Sequence, residues 1–135
     1  MPLLTWNDSL SVGVRAIDSQ HSALLAILGE LYDAMMKGRT KQVSGPLLHK
    51  FIDCTRDHFA AEEAMMAAAE YSGLAAHRRE HERLTKQVEE FAARFDRGEC
   101  TVNIELLRFL RTWLTNHIQQ SDKAYGPCLV GHGIR

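Results

Sequence analysis

HFAAEEAMMAAAEYSGLAAHRREH, residues 58–81, is the stretch whose reading decides how this chain folds. It carries two pairs of metal-ligand side chains at the same spacing, His58 with Glu62 and His77 with His81, on either side of the breaker Tyr71-Ser72-Gly73. Residues four apart differ by about 40° around a helix axis and about 6 Å along it, so each pair can address a single point. One pair closes a helix and the other opens the next, which puts both at the same end of antiparallel neighbours. No segment of useful length alternates with period two, so a sheet is not expected.

Working upstream, Met65, Phe59, Cys54, Ile52, Phe51, Leu48 and Leu47 continue the apolar pattern of the helix that ends near Ala69. Gly45-Pro46 leaves its start open. Proline is tolerated in a first helical turn and costly inside, and one reading begins the regular helix there. Leu24, Leu25, Leu28, Leu31, Tyr32 and Met35 recur at three- and four-residue steps and predict a first helix from Ile17 to about Lys37. Asp18 or Ser19 lies near its start and Gly38 ends it. Downstream of the breaker, a third helix is expected from about Ala75 to Arg97, closed by Gly98. A fourth spans about Asn103 to Lys123, with Gly126-Pro127 stopping it. The expected fold class is all-α: an up-down-up-down antiparallel four-helix bundle behind an irregular N-terminal leader of about sixteen residues, forming one domain over residues 1–135.

Composition agrees with one ordinary globular unit. The chain has 135 residues, 45% hydrophobic and 24% charged, enough to bury a real core. Sixteen Lys+Arg against seventeen Asp+Glu leave a net charge of −1, so no basic field for nucleic acid or anionic lipid is present. Cys54, Cys100 and Cys128 are widely spaced with no C-x-x-C pair, which argues against a disulfide scaffold or zinc ribbon and fits a reducing compartment. No run approaches the ~18 apolar residues of a membrane span, and the first residues lack a basic region followed by an apolar one. A cytoplasmic protein without membrane insertion is expected. The unusual feature is seven histidines.

Five of these histidines have an arrangement. His21 stands near the start of the first helix, His58 toward the end of the second, His77 and His81 at the start of the third, and His117 toward the end of the fourth. In an antiparallel bundle all fall at one end. His117 and Asp122 are five apart, about 140° around an α-helix, so both reach one centre only if Asp122 lies at a loosening helix end. Five imidazoles and two carboxylates, Glu62 and Asp122, are therefore expected to converge. Two roughly six-coordinate ions sharing two carboxylate bridges would use them, and the mixed donors suit divalent first-row metals, iron prominent among them. His49 is about 180° from His58, and His132 lies in a glycine-rich tail, so neither is expected at the centre. Cys54 shares a stripe with His58 and Glu62 but is read as a small buried apolar residue. Arg78-Arg79-Glu80 is read as a solvated face. Tyr125 either hydrogen-bonds near the site or closes the bundle.

The set His21, His58-x-x-x-Glu62, His77-x-x-x-His81 and His117-x-x-x-x-Asp122 resembles the hemerythrin family, and its single-domain bacteriohemerythrin branch in particular. The likeness extends to Thr5-Trp6-Asn7, to Val14-Arg15-Ala16-Ile17-Asp18-Ser19-Gln20-His21, to Glu62-Glu63, to Trp113-Leu114-Thr115-Asn116-His117 and to Asp122-Lys123-Ala124-Tyr125. It covers nearly the whole chain. The resemblance implies a non-heme di-iron site that binds dioxygen reversibly. His77, His81 and His117 would hold one iron and His21 and His58 the other. Glu62 and Asp122 would bridge the two iron ions beside an oxo or hydroxo group.

Leu24, Leu25, Leu28, Phe59, Trp113, Leu114 and Ile118 could wall a dioxygen pocket that excludes water. Ferritin-like di-iron oxidases place four carboxylates and two histidines in a bundle, so five histidines with two carboxylates favour a carrier, store or intracellular supplier of oxygen over an enzyme. Two alternatives use the same site: an oxidoreductase acting on peroxide or nitric oxide, and an oxygen sensor working through a partner. An oxygen-consuming enzyme is the expected receiver, and a monomer is expected.

Overall fold

In the computed structural model, which describes Trp6, residues 8–38 and residues 41–134, every regular element is helical. A 3-10 turn at Asp8–Leu10 precedes α1 (Arg15–Met36), α2 (Lys41–Ala68), α3 (Leu74–Asp96), α4 (Ile104–Asn116), a π-helical turn (His117–Asp122) and α5 (Lys123–Gly131). Helix α1 packs between α2 and α4, and α2 packs on α3. This is the expected four-helix bundle, its fourth member made of α4, the π turn and α5 in succession. Thr5 and Asn7, part of the family likeness, lie outside the described residues.

Local chemistry accounts for the boundaries. Gly38 adopts φ 65°, a left-handed conformation that glycine reaches without a Cβ clash, and closes α1 where expected. Asp18 lies in the first turn of α1, and its carboxylate accepts the Val12 N–H at 2.9 Å and the Ser11 hydroxyl at 2.6 Å. The leader is thereby tied to the helix, and its Leu10, Val12 and Val14 are buried. At α4, the Asn103 side chain accepts the Leu106 N–H at 2.9 Å, satisfying one of the free donors at the helix start.

Both Gly-Pro pairs depart from expectation. Helix α2 already begins at Lys41 and carries Pro46 inside it, and the fourth helix continues through Pro127 to Gly131. Proline disfavours helix in the residue before it through contact with that residue's Cβ and N–H; glycine removes the Cβ part of the clash. Gly126 has a further reason to be glycine, because a Cβ there would meet the Val12 carbonyl oxygen at 2.3 Å. The pair is a seat for the leader rather than a stop.

The core runs along the bundle through Leu24, Leu28 and Leu31 of α1, Leu48 and Phe51 of α2, Leu84 and Val88 of α3, and Leu107 and Leu110 of α4. At the end built by the start of α1 and the end of α2, the buried residues change from apolar to ionisable: His21, His58, Glu62, His77, His81, His117 and Asp122 are all at most 5% exposed.

Candidate metal centre

Burial of so many polar groups is costly unless each finds a partner, so the first question is where their nitrogen and oxygen atoms point. They point at one another. Oε2 of Glu62 faces His21 Nε2 at 3.4 Å and also His58 Nε2, while its Oε1 faces His77 Nε2 at 3.3 Å and His81 Nε2 at 3.6 Å. Asp122 repeats the pattern: Oδ2 lies 3.0 Å from His21 Nε2, and Oδ1 lies 2.8 Å from His77 Nε2 and 3.0 Å from His117 Nε2. Each carboxylate thus gives one oxygen to each of two histidine groups. One group joins His77, His81 and His117, the other His21 and His58, and donor atoms within each set, Glu62 and Asp122 included, lie within 4.8 Å of one another.

The π turn is what allows Asp122 to take part. Expectation had Asp122 at a loosening helix end; instead the helix widens for one turn and goes on. The Lys123 N–H donates to the Ile118 carbonyl, five residues back. In that geometry residues five apart stand nearly over one another, so His117 and Asp122 share a face that an α-helix would deny them.

Protein hydrogen bonds leave the centre incomplete. Both nitrogens of His21, Nε2 of His58 and His77, and all four carboxylate oxygens of Glu62 and Asp122 are buried without a hydrogen bond to the described residues. Inward-facing imidazole nitrogens and carboxylate oxygens make a donor set that cations satisfy, and it suits a first-row divalent pair. The electrostatics agree. Burial pushes His21 and His77 down, but Asp122 and Glu62 outweigh it and raise each to about 9. Burial likewise pushes the Glu62 and Asp122 carboxyls up, yet the surrounding histidines hold both below the ordinary carboxylate range. His81 goes the other way, down to about 4, through burial and the neighbouring His117 and His77. In its protein atoms alone, the site attracts positive charge.

Behind the inner groups stand residues that the sequence reading missed. His81 Nδ1–H donates to Glu63 at 2.9 Å, and Arg78 Nε–H donates to the other oxygen of Glu63 at 2.8 Å. His117 Nδ1–H donates to Glu80 at 2.8 Å, and Ser121 donates to the same oxygen at 2.8 Å. His58 Nδ1–H donates to Gln20 at 2.5 Å. Arg78 and Glu80 are therefore not a merely solvated face. A signal was available, since Gln20, Glu63 and Glu80 each sit next in sequence to an inner residue of the centre.

Aromatic rings flank the imidazoles. Phe59 stacks on His81 with ring centroids 3.7 Å apart and planes 5° apart, and Trp113 stacks on His117 at 4.6 Å and 11°. Leu24, Leu25, Leu28, Leu114 and Ile118 are buried in the continuous apolar core. Tyr125 is buried with its ring 5.4 Å from that of His77, and burial together with the Asp122 and Glu62 charges pushes its hydroxyl strongly up. Cys54 belongs to neither donor group. His49 and His132 are remote: His49 pairs with Asp96 at 3.0 Å, and His132 donates to the Cys128 carbonyl at 2.8 Å.

Comparison with known proteins gives a consistent result. Residues 12–129 match the family model described as the hemerythrin HHE cation binding domain. The bacteriohemerythrin of Stenotrophomonas maltophilia (strain R551-3) is 39% identical over 132 residues, covering 98% of this chain and 85% of the relative. That of Methylococcus capsulatus (strain Bath) is 36% identical, covering 96% and 98%, and the myohemerythrin of Riftia pachyptila is 32% identical, covering 89% and 88%. Among solved structures, a wild-type hemerythrin superposes with a TM-score of 0.90 at 36% identity, covering 94% of this chain and 98% of that one.

Proposed function

This chain belongs to the hemerythrin family, and from that premise we propose that its buried centre holds two iron ions and binds dioxygen reversibly. The observation that carries the reading is the division of labour in the two carboxylates: each turns one oxygen toward His77 and its group and the other toward His21. In this reading His77, His81 and His117 would hold one ion, His21 and His58 would hold the other, and Glu62 and Asp122 would each offer an oxygen to both. When bound, the iron pair would supply reversible exchange of two electrons with dioxygen.

The chain's own residues supply geometry and dryness. Nδ1–H bonds from His58, His81 and His117 to outer acceptors fix the ring orientation and leave Nε2 facing inward. Phe59 and Trp113 cover His81 and His117 as stacked plates. With Leu24, Leu25, Leu28, Leu114 and Ile118 they wall the dioxygen pocket and keep water from the centre. A neutral gas needs no steering field, which fits a net charge of −1. The donor set, rich in imidazole and poor in carboxylate, favours a carrier over an oxidase.

We read residues 1–135 as a single domain working in the cytoplasm as a carrier, store or supplier for an oxygen-consuming enzyme. No helix among the described residues is long and apolar enough to cross a membrane, and three free cysteines fit a reducing compartment. The test is optical. Anaerobically reduced, iron-loaded protein should gain a visible charge-transfer band on exposure to air and lose it under argon, over repeated cycles. Irreversible conversion to the ferric state, or turnover of peroxide or nitric oxide, would replace the carrier by the oxidoreductase. One zinc per chain would remove the di-iron reading.

A further inference from the structure

The groups behind the imidazoles are not the same in the two halves of the centre. In the three-histidine half, His81 is backed by the Glu63 carboxylate at 2.9 Å and His117 by the Glu80 carboxylate at 2.8 Å. Both carboxylates are themselves anchored, Glu63 by Arg78 and Glu80 by Ser121. In the two-histidine half, His58 is backed by the neutral carboxamide of Gln20, and Nδ1 of His21 is buried with no hydrogen-bond partner among the described residues.

A carboxylate that accepts an imidazole N–H draws its proton outward and makes the opposite nitrogen a stronger donor, and a charged acceptor does so more than a neutral one. We propose that these outer groups widen the inequality that three imidazoles against two already set between the metal positions: Glu63 and Glu80 cause the His77, His81 and His117 position to grip its ion more tightly, while Gln20 leaves the His21 and His58 position weaker and first to exchange. The inference rests on the di-iron reading above and adds to it residues that touch no metal. Glu63, Glu80 and Gln20 are positioning residues, and Arg78 and Ser121 serve them in turn. The shared Glu62 and Asp122 cannot create the inequality, because each turns an oxygen to both halves.

Glutamine in place of Glu80 keeps the shape and the single oxygen that His117 and Ser121 share and removes the charge, while glutamine in place of Glu63 keeps an oxygen for His81 but gives up the one that Arg78 holds. The full chain, loaded anaerobically with two ferrous ions, is equilibrated with rising concentrations of a coloured ferrous chelator, and the iron left on the protein is counted. Wild type should lose its iron in two steps of one ion each. Glu63→Gln and Glu80→Gln should move the second, tighter step to lower chelator by about 10–100-fold and leave the first nearly in place. Gln20→Glu should move the first step to higher chelator, a gain that faulty folding cannot imitate. A single step in wild type, equal movement of both steps in the glutamine variants, or no movement in Gln20→Glu overturns the inequality. A chain that takes up no iron pair at all overturns the di-iron reading with it.

Discussion

His117 shows how much a single side chain owes to its surroundings. Its ring donates from Nδ1 to Glu80, lies flat against Trp113 and turns Nε2 to within 3.0 Å of Asp122. Hydrogen bond, stacking and burial select one tautomer and one orientation before any ion arrives. His81 is built the same way, from Glu63 and Phe59. Truncating either to alanine removes an oriented donor from a group that has few to spare. His81→Ala is therefore expected to hold one iron per chain where the parent holds two, with melting temperature reduced as the metal's contribution to the fold falls. His49→Ala, whose ring pairs with Asp96 at the surface, should keep both. Metal analysis showing two ions in His81→Ala would remove that residue from the centre. The inner residues were legible because four-residue spacing is a local property of a helix. Gln20, Glu63 and Glu80 stand beside them in sequence, but the histidine each one backs was not legible, because it lies on a different helix and the rotation of one helix against the next is not written in either.

Elements obey a similar division. Helices α1 and α3 end at Met36 and Asp96, next to the stops expected at Gly38 and Gly98, because a left-handed glycine terminates a helix by itself. The Gly-Pro pairs misled for a physical reason: proline's cost inside a helix is real, but it can be met from tertiary packing, and at Gly126 the leader's Val12 carbonyl lies where a side chain would be. The π turn is the third case. His117-x-x-x-x-Asp122 contradicts an α-helix, and the chain resolves the contradiction by widening one turn inside a continuing helix. Inserting an alanine after the exposed Gln120 would put the Asp122 carboxylate six positions from His117 and rotate it away by about 100° more. Because Asp122 faces both histidine groups, the insertion should cost both ions and not one, while circular dichroism still reports a largely helical chain. Two ions retained would show that the placement of Asp122 by the π turn is dispensable. Gln120→Ala, which keeps the register, should bind two as the parent does.

At the scale of the molecule, the bundle concentrates its ionisable groups at one end and leaves the rest of its core apolar. The metal-stripped protein should therefore show their titration in its stability. His21 and His77, raised to about 9 from 6.5, stabilise the fold fully below pH 6.5, and that contribution is lost as pH rises through 9. His81, lowered to about 4, acts in the opposite sense: its neutral form is favoured in the fold, so stability falls as pH drops from 6.5 toward 4. The stripped chain should thus melt highest near pH 6 to 7 and lower on both sides, on the order of 4 °C for each kcal/mol lost. Iron holds the same imidazoles unprotonated, so the fall between pH 7 and 10 should flatten in the loaded protein. Parallel melting curves for the two forms across that range would contradict this account.

Helix content, the shared depth of the inner residues and the identity of the donors follow from the order of side chains along the chain. They depend on the pitch of an α-helix and on antiparallel succession, and both act over a few residues or a single turn of the chain. The tertiary structure alone decided which oxygen of Glu62 and Asp122 faces which histidine, which outer residue backs each ring, and where the helix abandons its α pitch. Those outcomes rest on contacts between residues as far apart as Gln20 and His58 or Glu80 and His117. Their physical origin is the cost of burying a polar atom unpaired: helices are rotated, and one turn is widened, until those atoms face partners that local periodicity cannot name.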